Sequence, residues 1–144
     1  MYYKFTNDKE MEFHLPEYNG NSRYIINKQT HKTLAKIDYN GILTVYEGYS
    51  WYGCSPKWEL FETGIILGVW DGFVVDGEQQ LKYPSLVHDV LCQMFHGHDD
   101  IKFYTRKDID VIFRNTMKSY GVPYWQRVSY YYAVRGYALV NGYV

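Results

Sequence analysis

His88 and Asp89 are adjacent in the sequence, and an imidazole beside a carboxylate suits general acid–base chemistry near neutral pH. Downstream, Asp110 follows Arg106 after one helical turn's worth of residues, and Arg135 comes later still. Guanidinium forks grip carboxylate or phosphate through paired hydrogen bonds. Together these residues would form an anion-handling site. His88 would be the acid or base, Asp89 or Asp110 would orient its ring, and Arg106 and Arg135 would hold the substrate.

Other spacings suggest other chemistry. His88, Cys92 and His96 recur at every fourth position, so two neighbours could share a metal as zincin histidines do, but the glutamate of that motif is missing. His96-Gly97-His98-Asp99-Asp100 could also hold a divalent ion, although a polar stretch with glycine between two helices reads more simply as a loop. Cys54 beside Ser55 at a helix start could have a lowered thiol pKa, with His88 as its base. Nothing in the sequence brings them together. No cofactor motif is present, so none is expected, and a divalent metal is the alternative.

These residues must be positioned by an α+β fold. Thr33 to Tyr39 and Ile42 to Tyr49 flank Asn40-Gly41, a hairpin signal in which both turn residues take positive φ. Arg23 to Asn27 reads as a strand pairing alongside. Ser55-Pro56 reads as an N-cap and first helical residue, opening a short helix through Phe61. Gly64 to Val75 reads as strand and turn. Helices are expected from Pro84 to His96, from an N-cap at Thr105 with Asp108 completing a capping box to a stop at Gly121, and from Pro123 to about Leu139. Strands first and helices later give antiparallel hairpins, or a small sheet, packed on three C-terminal helices. One domain over 1–144 is expected, mostly β with one short helix over 1–80 and helical over 84–139.

Helical projection sharpens the candidates. On the first helix Leu86, Val87, Val90, Leu91, Met94 and Phe95 share one face, while Ser85, His88, Asp89, Cys92 and His96 lie opposite. For Ser85 and His96 the simple reading is a solvated face. On the second helix Arg106 and Asp110 fall on the arc of Phe113 and Met117. On the third, Arg135 lies among Tyr124, Val128, Tyr132 and Leu139. Charges facing apolar neighbours must be paired, because lone burial costs several kcal/mol. Asp89 with His88 are the partners this reading offers to Arg106, Asp110 and Arg135.

Composition narrows the function classes. The 144 residues carry a net charge of −1 with no basic block, which argues against a nucleic-acid polymer as partner. No apolar run is long enough to span a membrane, and the first residues do not resemble a signal peptide. A cytoplasmic protein is expected, and Cys54 and Cys92 fit a reducing compartment. Tyrosine is abundant, at 17 residues with 4 Trp and 7 Phe, which suits a core, an oligomer interface or stacking under bases.

Several short motifs in order, Gly53-Cys54-Ser55-Pro56, Leu86-Val87-His88-Asp89-Val90-Leu91, Arg106-Lys107-Asp108-Ile109-Asp110 with Phe113, and Met117 through Gly121-Val122-Pro123 to Tyr132-Ala133-Val134-Arg135, resemble the bacteriophage domain-of-unknown-function 1353 family. The resemblance runs from about Tyr49 to Ala138. It highlights Gly53, Ser55, Pro56, His88, Asp89, Arg106, Asp110 and Arg135, and it implies a phage or prophage origin and hence a host bacterial cytoplasm. The chain departs from the family pattern at Tyr52, where the pattern has Asp, and at Cys92, where it has Tyr.

Three functions are compatible with this. The first is a small phosphodiesterase-like hydrolase of a phosphate-bearing small molecule, such as a nucleotide signal of host immunity, with His88, Asp89 and Asp110 catalytic. Arg106, Arg135, Ser55, Tyr52 and Trp51 would bind the ligand. The second is a homo-oligomeric anti-defence binder that sequesters a nucleotide-type ligand, with Tyr and Trp rings stacked on the base. The third is a virion or lysis-cassette accessory protein whose His-Asp-Arg network only locks helices together.

Overall fold

The computed structural model describes residues 5–18, 21–51, 57–59, 66–68, 74–75, 78–95 and 105–140. The strands come first: β1 (Phe5–Thr6), β2 (Met11–His14), β3 (Arg23–Ile26), β4 (Thr33–Ile37), β5 (Ile42–Val45), β6 (Ser50–Trp51), β7 (Lys57–Glu59), β8 (Ile66–Gly68), β9 (Val74–Val75) and β10 (Glu78–Gln79). Three helices follow: α1 (Lys82–Phe95), α2 (Arg106–Ser119) and α3 (Tyr124–Val140). The fold is α+β, with antiparallel strands preceding three helices.

β2, β5, β4 and β3 form a four-stranded antiparallel sheet in that spatial order. Alternation along its strands sends Phe13, Ile25, Ala35 and Ile37 inward while Glu12, Tyr24 and Lys36 face out, the period-2 pattern of a half-buried sheet. Leu43 and Val45 of the inner strand β5 join them. This face packs on Leu86, Val87, Val90, Leu91, Met94 and Phe95 of α1 in one core. A second cluster, Leu81, Phe113, Met117, Val122, Tyr130 and Val134, joins α2 to α3. α1 is therefore covered by the sheet on one side and by α2 on the other.

The β4–β5 hairpin forms as expected, with a different turn. Gly41 donates to the carbonyl of Asp38 at 3.0 Å, and the Asp38 carboxylate accepts from the amides of Asn40 and Ile42. Only Gly41 takes a positive φ, at 82°, so Asn40 is not left-handed. A turn closed by one left-handed glycine is the longer hairpin connection, not the two-residue one. Gly41 is doubly constrained, because a Cβ there would lie 2.3 Å from the carbonyl oxygen of Leu15.

One expectation fails in the first half. Lys57–Glu59 is strand, paired antiparallel with β8 in the register Trp58↔Leu67, where a helix from Ser55 to Phe61 was expected. Pairing with the next strand overrides the Ser-Pro signal. The strands β1 and β2 were also not anticipated. The helices agree closely. Thr105 caps α2 with the reciprocal capping box to Asp108, and Gly121 follows its C-terminus at φ 77°. No helix among the described residues is long and apolar enough to cross a membrane.

Candidate functional site

One buried carboxylate gathers the charges that helical projection turned inward. Asp110 Oδ1 lies 2.7 Å from His88 Nε2 and accepts from Arg106 Nε at 3.0 Å, while Oδ2 accepts from Arg135 Nη1 at 2.8 Å. The side chains come from α1, α2 and α3, so the network spans all three helices. Arg106 and Asp110 share a face of α2 through their i,i+4 spacing. His88 comes across the α1–α2 seam, and Arg135 reaches over from α3.

Burial sets the charge states. Asp110 is fully buried and His88 is 2% exposed, while the Arg106 and Arg135 side chains keep 13% and 14% of their surface at the edge. Desolvation holds the His88 pKa below its ordinary value despite the opposing pull of Asp110, so the ring is neutral at pH 7. Burial would raise the Asp110 pKa. The hydrogen bond and charge of His88 and the charge of Arg106 outweigh it, and the net direction is down. An ionised Asp110 accepts, so a neutral His88 donates from Nε2 and keeps its lone pair on Nδ1. Asp110 thus fixes both the tautomer and the orientation of the ring.

Cys92 and Phe113 complete the surroundings of the imidazole. The Phe113 ring centroid is 4.8 Å from that of His88. Cys92 Sγ lies 3.9 Å from Nδ1 and 3.8 Å from Nε2. A sulfur so nearly equidistant from the two nitrogens is off the Nδ1 lone-pair direction. Burial pushes the Cys92 thiol up to about 12, although Arg106 pulls the other way. The thiol is therefore protonated and is no nucleophile near neutral pH. The i+4 spacing had set Cys92 beside His88 only as a possible metal partner; the Phe113 contact was not drawn, although its place on the Asp110 arc was the available signal.

Ser85 and Trp51 lie apart from this network. The carboxylate shared by His88 and both arginines is that of Asp110. Asp89 is partly buried on α1, close enough for its charge to act on Cys92. Ser85 is buried, not solvated: it accepts from Trp51 Nε1 at 3.1 Å and donates to the Lys82 carbonyl at 2.8 Å. The same contact holds Trp51 fully buried beside Phe5, so its ring belongs to the core and presents no face for stacking a ligand. Tyr124, Tyr132 and Leu139, expected to surround Arg135 as core, are exposed, and α3 instead buries Gln126, Tyr130, Val134 and Ala138. Tyr52, Gly53, Cys54, Ser55, Pro56 and the stretch from His96 to Asp100 lie outside the described residues. Among the described residues no group of three or more His, Cys, Asp or Glu is arranged to hold a metal ion.

Residues 66–134 match the model of a family described as protein of unknown function (DUF1353), which supports the family assignment implied by the motifs. The matched span contains His88, Asp89, Arg106 and Asp110, stops one residue before Arg135, and does not extend back to Gly53–Pro56. No curated protein and no solved structure matches the chain.

Proposed function

We infer that this protein, with its DUF1353 segment at residues 66–134, is a small hydrolase of a phosphate-bearing small molecule, and that His88 is its general acid–base. The observation that supports this most directly is the 2.7 Å contact between His88 Nε2 and Asp110 Oδ1 inside a buried site. A carboxylate on one ring nitrogen leaves the other as the base and stabilises the imidazolium that forms when it takes a proton. Arg106 and Arg135 stand beside this dyad at the site's partly exposed edge. Their guanidinium planes suit phosphate oxygens, and nucleotide-type ligands are the first class to test.

The test is turnover of a panel of cyclic and linear dinucleotides and ADP-ribose derivatives by the wild-type protein and by His88→Ala and His88→Gln. Product formation that both variants abolish, with their circular dichroism unchanged, is the expected result. Absence of product with every compound would remove the hydrolase.

The deep burial of His88 favours a second reading, in which the network locks the helices and the Arg106–Arg135 edge only binds the anion. Calorimetry would then give tight binding with the ligand recovered intact.

A further inference from the structure

α3 is apolar on two opposite sides. Gln126, Tyr130, Val134 and Ala138 face the rest of the chain. On the other side Tyr124, Trp125, Val128, Tyr132 and Leu139 recur at helical spacing, and four of these are largely open to solvent: Tyr124 at 74%, Trp125 at 62%, Tyr132 at 68% and Leu139 at 67%. Val140 extends the stripe to the helix end at 87%. A helix that is apolar all round is ordinarily covered all round. Charge on α3 is confined to two arginines, Arg127 and Arg135. The Arg127 guanidinium lies over the Tyr124 ring, 5.6 Å from its centroid, and Arg135 is bonded to Asp110.

We propose that this stripe is a homodimer interface in which α3 packs antiparallel against α3 of a second copy. A two-fold axis passing by Tyr132 sets the two Tyr132 rings side by side. It places Trp125 opposite Leu139 and Tyr124 opposite Val140. Val128 then meets Gly136, where a Cβ would meet nothing within 4 Å, so the helices can approach closely at that level. No arginine faces another arginine in this register. An isologous contact needs a surface that complements itself in this way.

The area fits a second copy. An aromatic side chain offers about 150–250 Å². At the exposures quoted, three rings with Leu139 and Val140 give about 600 Å² per copy. With the flanking residues this approaches the roughly 800 Å² that each partner buries in a standard interface, whereas it is at the upper end of what a monomer leaves uncovered. Tyr and Trp are also the residue types that dominate binding energy at interface centres.

Light scattering and sedimentation velocity on the full chain test this. A dimer of twice the 17.2 kDa chain mass is expected. Tyr132→Glu puts two like charges at the axis and should weaken association by at least about tenfold; Leu139→Glu should do the same away from the axis. Tyr39→Glu, at another exposed tyrosine, should leave the mass unchanged. A wild-type monomer at every concentration overturns the proposal, as does a dimer that both α3 variants leave intact. A monomer that pellets with anionic vesicles assigns the stripe to a membrane surface and overturns it as well.

Discussion

His88 Nε2 and Asp110 Oδ1 lie 2.7 Å apart although the residues are 22 apart in sequence, and the same carboxylate also accepts from Arg106 and Arg135. Asp110 is therefore the residue on which three donors from three helices depend. Asp110→Asn keeps the shape but removes the charge and turns an N–H group toward donors. Loss of one partner from a buried ionic network costs about 3–5 kcal/mol. Urea denaturation should show a loss of that size, and a change under about 1 kcal/mol would mean the network contributes little.

Acid should destabilise the protein in two stages. Burial keeps the folded His88 pKa below its ordinary 6.5. As pH falls below that value the unfolded chain takes a proton before the folded one does, so stability declines with a slope of up to about 1.4 kcal/mol per pH unit. Asp110 acts further down. Its folded pKa lies below the ordinary 3.8 because the His88 hydrogen bond and the charges around it outweigh burial. Its contribution is complete above that ordinary value and is lost as pH falls through the depressed one. His88→Gln should remove the upper stage and shrink the lower one, since Arg106 alone of the cited charges then still favours ionised Asp110; urea midpoints measured from pH 8 to pH 3 would reveal an unchanged upper stage if this is wrong.

Much of the site was legible in the sequence because a charge on an apolar arc signals a buried partner wherever the chain provides one. Arg106 and Asp110 announced themselves that way. Of the two partners offered across the seam, His88 meets Asp110 directly, whereas its adjacency to Asp89 does not say which carboxylate its ring bonds. Ser85 was misread because α1 is covered on two sides, so the arc opposite its apolar face is not a surface. Arg135 pointed to the right network through the wrong neighbours. With both sides of α3 apolar, periodicity alone cannot tell which one the chain buries. β7 was missed because Ser55-Pro56 is a strong helix-start signal, and the strand pairing of Lys57–Glu59 with β8 overrides it.

Cys92 should be nearly inert in the folded protein. Its thiol is pushed from 9.0 up to about 12 by burial, which lowers the thiolate fraction at pH 8 about a thousandfold. In a Cys54→Ser background, iodoacetamide should label Cys92 of the folded protein far more slowly than the thiol of the unfolded chain. Labelling at the rate of an exposed thiol would show that the site is open and that Cys92 is available to chemistry.

The contact between Trp51 and Ser85 ties β6 to the first turn of α1, on the helix that carries His88. Ser85→Ala deletes the acceptor at 3.1 Å and leaves a buried indole N–H without its partner. An orphaned buried donor costs about 1–3 kcal/mol, so the melting temperature should fall.

Gly41 offers a sharper test of the hairpin that carries the inner strand β5. Alanine there meets a φ of 82° and a Leu15 carbonyl oxygen 2.3 Å from the new Cβ. The left-handed conformation alone costs about 1–2 kcal/mol. The Leu15 carbonyl is backbone and cannot swing aside, and the Leu15 amide is bonded to the Gly41 carbonyl at 2.9 Å. Relieving the clash must therefore pull the end of β2 away from the hairpin. Gly41→Ala should lose about 2–4 kcal/mol in total, whereas alanine at Gly48, whose Cβ would meet nothing within 4 Å, pays only for its positive φ. Equal losses at the two glycines, measured by urea denaturation, would show that backbone conformation and not the Leu15 contact sets the cost.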